Sequence, residues 1–200
     1  MIPQGGTVHR YILATFATTG HAPTLEAIQA QFGLASLEEA DARVTELEER
    51  GCIHRNAGDR VVTHAYPFSN EPTPHRVHLA GGPQVYAMCA VDALGMPFML
   101  KRDAEIHSCC RQCQDEVTVH IHNEEVTQQS PSGLVVWLPT VPGMCVAATD
   151  LCPSLNFFCS AAHLDQWRAA HPDTHGQKLT LEQALADGRK TFEPLLQDGA

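Results

Sequence analysis

Cys89 and Asp92 are the residues whose types and spacing suggest chemistry. They lie in the apolar stretch Tyr86-Ala87-Met88-Cys89-Ala90-Val91-Asp92-Ala93-Leu94. This stretch reads as the start of a short helix, with the turn Gly81-Gly82-Pro83 as its opening. Residues three apart on a helix share a face. A lone buried Cys ordinarily packs as a small hydrophobe. An acid inside an apolar run, however, is costly unless it is paired or functional. A thiol beside a carboxylate, both partly desolvated, makes a nucleophile or soft-metal ligand next to a proton donor.

Composition points the same way. The chain has 200 residues, 44% of them hydrophobic, which is enough for a real core. Eight cysteines and twelve histidines are many for its size. The N-terminal residues lack the basic and apolar pattern of a secretory leader, and no apolar run is long enough to span a membrane, so a cytoplasmic location is expected. In a reducing compartment such thiols favour metal binding or catalysis over disulfides. The net charge of −10 argues against a nucleic-acid surface, which wants a basic stripe. There is no Gly-x-Ser-x-Gly, no P-loop and no Gly-x-Gly-x-x-Gly.

A second stretch, Asp150-Leu151-Cys152-Pro153-Ser154-Leu155-Asn156-Phe157-Phe158-Cys159-Ser160, places a Cys upstream of two adjacent aromatics. Together the two stretches resemble the organomercurial (alkylmercury) lyases. The first resembles that family's Tyr-Ala-x-Cys-Ala-x-Asp pattern through Tyr86, Ala87, Cys89, Ala90 and Asp92. The second matches its later Cys and Phe-Phe-x-Ser pattern through Cys152, Phe157, Phe158 and Ser160. Ser108-Cys109-Cys110 resembles a further family segment, in which the counterpart of Cys110 has a structural role. Cys109 and Cys113 depart from that segment, and Pro153 stands where the family often has a second Cys.

The resemblance implies a lyase that cleaves the carbon–mercury bond by protonolysis. Cys89, Asp92 and Cys152 would be its catalytic residues and its mercury ligands. Soft thiolates suit a soft metal. A free thiol is mostly protonated at neutral pH, so Asp92 would take that proton and later give it to carbon. Burial would raise its pKa and suit it to both tasks. No cofactor is required. Hg(II) stays as bound product until cellular thiols or a mercuric reductase remove it. Two other readings remain open at this point. One is a thiol-rich winged-helix metal-binding or sensor protein. The other is a lyase relative acting on a different organometal.

The elements that position these residues read as an α+β fold. Residues 9–18 and 24–32 form two helices, with Thr24 as an N-cap. A third runs from the capping box Ser36-Leu37-Glu38-Glu39 to Arg50, and Gly51 ends it. Strands at 52–54 and 60–64 complete a winged-helix-like pattern over 1–66. Glu38, Glu39, Glu46, Glu48 and Glu49 make its third helix unsuited to DNA. Residues 67–75 read as a Pro-rich linker. Residues 76–200 read as the catalytic domain, a mixed and mainly antiparallel sheet with flanking helices. Its expected strands are 76–79, 104–107, 117–122 and 133–138, and its later helices 157–169 and 180–196. Cys110-x-x-Cys113 has chelating spacing, with His107, His120 and His122 near in sequence. These three cysteines (with Cys109) stand outside the catalytic set and are expected to be dispensable for bond cleavage. Cys145 and Cys159 read as packing residues.

Overall fold

The computed structural model describes residues 6–141 and 150–196. Cys145 therefore lies outside the described residues. Three helices open the chain: α1 (Gly6–Thr19), α2 (Leu25–Phe32) and α3 (Leu37–Glu49). Thr24 caps α2 by accepting from the Ala27 N–H, and Gly33, at φ +61°, closes it. Ser36 caps α3 by accepting from the Glu39 N–H, while the Glu39 carboxylate reaches back to the Ala35 N–H rather than to Ser36. Apolar residues at helical spacing, Ile12, Leu13 and Phe16, turn α1 into the core.

The hairpin β1 (Ile53–Arg55) and β2 (Val62–Ala65) follows. Arg55 fastens it to α3: its guanidinium meets Asp41 at 2.6 Å and Glu48 at 2.8 Å. The segment read as a linker holds a strand, β3 (Phe68–Ser69). β3 pairs with β2 on one side and with β5 (Gln84–Ala87) on the other. The Phe68 ring stacks on Phe16 of α1 at 5.2 Å. One sheet thus runs from the hairpin into the rest of the molecule, and a single hydrophobic core spans both parts.

That sheet has eight strands in the order β1-β2-β3-β5-β4-β6-β7-β8. The remaining ones are β4 (His75–Leu79), β6 (Ala104–Cys109), β7 (Glu116–His122) and β8 (Glu125–Ser130). In β7 the alternation of Val117, Val119 and Ile121 buries one face. A second, three-stranded sheet has the order β10-β9-β11, from β9 (Val135–Pro139), β10 (Asn156–Phe158) and β11 (Gly176–Thr180). Every strand pairing among the described residues is antiparallel, and the fold is α+β.

Between β5 and β6 runs α4 (Ala90–Leu100), which is buried almost throughout. α5 (Ala161–Ala170) and α6 (Leu181–Phe192) complete the fold. α4 and α6 cross on two glycines. A Cβ on Gly95 would fall 2.9 Å from the Gly188 carbonyl and would collide with the Phe192 ring. A Cβ on Gly188 would fall 2.9 Å from the Val91 carbonyl. Two corrections to the sequence reading follow. Tyr86 and Ala87 end a strand instead of opening a helix, and residues 81–83 form the β4–β5 turn. Phe157 and Phe158 belong to β10, because the Ser160 side chain caps α5 by accepting from His163 and sets its start at Ala161.

Candidate active site and a second thiol cluster

Cys89 is the N-cap of α4, in extended conformation. Its sulfur takes the place of the usual capping oxygen and accepts from the Asp92 N–H at 3.4 Å. The three-residue spacing therefore sets a cap and its N3 partner, not two residues on one helical face. Cys152 opens a short 3-10 helix (Cys152–Ser154) just before β10. Two backbone hydrogen bonds seat this segment. The Ala90 N–H donates to the Leu155 carbonyl at 3.2 Å, and the Leu155 N–H donates to the Cys152 carbonyl at 3.2 Å. The Asn156 amide donates to the Pro153 carbonyl at 2.9 Å. The Cys152 thiol then donates to the Asp92 carboxylate at 3.7 Å.

The ligand atoms of Cys89, Asp92 and Cys152 all lie within 4.8 Å of one another. The residues are 1%, 4% and 5% exposed. Two metal–sulfur bonds of about 2.3 Å span about 4.6 Å end to end, so one ion can touch both sulfurs. Burial pushes the Asp92 carboxyl up to about 7, although hydrogen bonds to Cys89 and Cys152 pull the other way. Burial, the hydrogen bond with Cys152 and the nearby Asp92 charge lift the Cys89 thiol well above its usual range. At Cys152 the hydrogen bond with Cys89 lowers the pKa, but burial and the Asp92 carboxylate outweigh it. The site therefore rests with both thiols protonated and a carboxyl that titrates near neutrality.

Cys110, Cys113, Cys159 and His163 form a second group, with ligand atoms again all within 4.8 Å of one another. Cys110 and Cys113 come from the turn between β6 and β7, Cys159 follows β10, and His163 is in the first turn of α5. Cys159 thus joins a thiol cluster instead of merely packing. His107, His120 and His122 stay outside it, each beside a carboxylate: Glu116, Glu105 and Asp103 respectively. The missed signal was Cys159-x-x-x-His163, which supplies the second half of a ligand pattern whose first half is Cys110-x-x-Cys113.

The alkylmercury lyase family model matches residues 68–193. An alkylmercury lyase of Staphylococcus epidermidis is 32% identical over 144 residues, covering 72% of this chain and 61% of that protein. One from Bacillus cereus is 31% identical over 118 residues, covering 59% of this chain and 53% of that protein. The match thus spans little more than half the length of such curated relatives. The crystal structure of the mercury-bound form of MerB2 superposes with a TM-score of 0.77 at 30% identity, covering 94% of this chain and 91% of that one. The matched segment contains α4, the Cys152 segment, the three-stranded sheet and six of the eight strands of the larger sheet, and on this ground the chain belongs to the alkylmercury lyase family.

Proposed function

We propose that the chain cleaves the carbon–mercury bond of organomercurials by protonolysis, giving a hydrocarbon and Hg(II). The observation that carries this reading is the convergence of two buried thiols and one buried carboxyl with a raised pKa. The substrate arrives as R–Hg on an external thiolate. A site thiol displaces that thiolate, and its proton passes to the Asp92 carboxylate. The second thiol binds the mercury and its proton leaves on the departing external thiol. Two soft sulfurs now load electron density onto the metal. Asp92 gives its proton to carbon, and the carbon–mercury bonding pair goes to that carbon. The products are R–H, Hg(II) on Cys89 and Cys152, and Asp92 again ionised. Of the two thiol protons, one is in the hydrocarbon and the other on the released thiol.

A dry, pre-formed site suits these steps. Burial keeps the thiols protonated until the metal arrives, and the raised pKa of Asp92 lets it hold the thiol proton for delivery to carbon. No cofactor is required. Cellular thiols or a mercuric reductase would collect the Hg(II), which fits a cytoplasmic setting; no helix among the described residues is long and apolar enough to cross a membrane. Nucleic acid is not a partner in this reading, since acids of α3 hold the cations of the hairpin: Asp41 meets both Arg55 and Arg60. The test is incubation with phenylmercury and excess thiol. Benzene should form with turnover. Benzene no faster than in a thiol-only control would refute the proposal.

A further inference from the structure

The four side chains Cys110, Cys113, Cys159 and His163 have the composition and spacing of a closed zinc site. Zinc–sulfur and zinc–nitrogen bonds of about 2.3 Å and about 2.0 Å in a tetrahedron put sulfurs about 3.8 Å apart and a sulfur and nitrogen about 3.5 Å apart. Here the Cys113 and Cys159 sulfurs are 3.7 Å apart, and the Cys110 sulfur is 3.6 Å from His163 Nδ1. Two sulfurs bonded as a disulfide would be about 2.05 Å apart, so the cluster holds thiols at ligand spacing.

The protein backbone fixes this arrangement. Cys110 N–H donates to the Asp115 carbonyl at 2.8 Å, and Gln114 N–H donates to the Cys110 carbonyl at 2.9 Å. Gln114 takes the left-handed conformation (φ +64°) that closes the turn. The Gln114 amide also donates to the Cys110 and Arg111 carbonyls. The opposite side is tied on by Arg111 N–H to the Phe157 carbonyl, 2.9 Å, and by Cys159 N–H to the Cys110 sulfur, 3.3 Å. The N–H groups of Gln112 and Cys113 also point at that sulfur. Backbone N–H groups aimed at a sulfur stabilise a metal-bound thiolate. His163 is set by its N–H bond to the Ser160 cap.

We propose that Cys110, Cys113, Cys159 and His163 bind one zinc ion as a structural centre separate from the Cys89–Asp92–Cys152 site. Four protein ligands leave no open position, so the ion holds structure and does no chemistry. It joins the β6–β7 turn of the large sheet to β10 and α5. β10 is the strand that Cys152 leads into, so the centre braces the backbone from which one catalytic thiol hangs.

The test is metal content. Wild-type chain expressed in zinc-supplemented medium and purified under reducing conditions should carry one zinc per chain through dialysis. A Cys89→Ser/Cys152→Ser variant should keep it. A Cys113→Ser/Cys159→Ser variant should lose it. Cobalt(II) replacing zinc in the wild type should give the intense visible bands of a tetrahedral thiolate site, and His163→Gln should shift them. Should the Cys113→Ser/Cys159→Ser variant fail to fold, wild-type metal content and the cobalt spectrum still decide. A wild type with no zinc and no tetrahedral cobalt spectrum would overturn the proposal. Zinc lost from the Cys89→Ser/Cys152→Ser variant and kept in the other would overturn it too.

Discussion

The Asp92 backbone N–H donates to the Cys89 sulfur at 3.4 Å, so the sulfur caps the same helix turn that carries the carboxyl. One bond thus fixes the distance between the soft ligand and the proton carrier. It also turns the positive end of α4 toward the sulfur, where a metal-bound thiolate would lie. Against this, burial and the Asp92 charge keep the free thiol protonated. Charge on the sulfur is thus favoured only when a cation arrives to share it.

Cys89→Ser and Cys152→Ser are each expected to abolish hydrocarbon release, because a hydroxyl is a hard ligand and does not replace thiolate on a soft metal. Asp92→Asn should still bind mercury but lose about 10²–10⁴-fold in rate, the usual worth of general acid–base help. Single-turnover hydrocarbon release and mercury retention, measured on variants with normal circular dichroism, check both. A near-normal rate in Asp92→Asn would show that the proton reaches carbon from elsewhere.

The α4–α6 crossing predicts a cost for side chains there. Gly95→Ala places a methyl against the Gly188 carbonyl and the Phe192 ring, which are backbone and a fully buried aromatic. Neither yields cheaply. Overpacking of this kind costs about 1–3 kcal/mol. Gly95→Ala and Gly188→Ala should each lower the urea midpoint, whereas alanine at Gly33, which has open space around it, acts only through its φ of +61°. Unchanged midpoints at both crossing glycines would mean that the helices part without cost.

Much of this was legible in the sequence. Helix α3 and its Ser36 cap, the alternation in β7 and the α6 start at Thr180 follow from local chemistry. Cys89 and Asp92 stood out because an acid in an apolar run needs a reason, and Cys152 through the resemblance of its stretch to the family pattern. The β3 strand was not, since two residues between prolines carry no period, and their strand character comes from pairing with β2 and β5. The role of Cys89 as a cap was also hidden, because sulfur is a rare capping atom and Tyr86-Ala87 continues the apolar run without a break. Cys159 and His163 were missed because their partners lie 46 and 53 residues away, across two sheets.

His75 predicts acid sensitivity. It is buried on β4 and sits 2.9 Å from the Ser108 hydroxyl, with the Phe157 ring 5.8 Å away. Burial drives its pKa from 6.5 down to about 4, against a hydrogen bond with Asn156. A base with a depressed folded pKa contributes stability that is full above 6.5 and lost as pH falls toward 4. The worth is about 3 kcal/mol at most. His9 of α1 is shifted in the same direction, also by burial. Unfolding free energy from urea melts should fall between pH 6.5 and 4, and His75→Gln should flatten that fall. An identical slope in the variant would assign the acid loss to other groups.

Asp92 predicts the opposite trend at higher pH. Its carboxyl is raised from 3.8 to about 7 by burial. An acid with a raised folded pKa holds its proton more tightly when folded. Its contribution to stability is full below 3.8, falls steadily as pH rises from there, and is gone by about 7. Above that pH the folded protein carries a buried charge that costs about 4 kcal/mol relative to the protonated form. Asn cannot ionise and escapes this cost. Asp92→Asn should therefore melt higher than wild type at pH 8, on the order of 10 °C, and by roughly a third of that at pH 5. Bond cleavage in the wild type should pass through a maximum close to the Asp92 pKa, because the ionised form must take the thiol proton and the protonated form must deliver it to carbon. Paired thermal melts and a pH–rate profile with phenylmercury measure the two effects separately. Equal melting differences at pH 5 and pH 8 would mean that Asp92 is not the group titrating near neutrality.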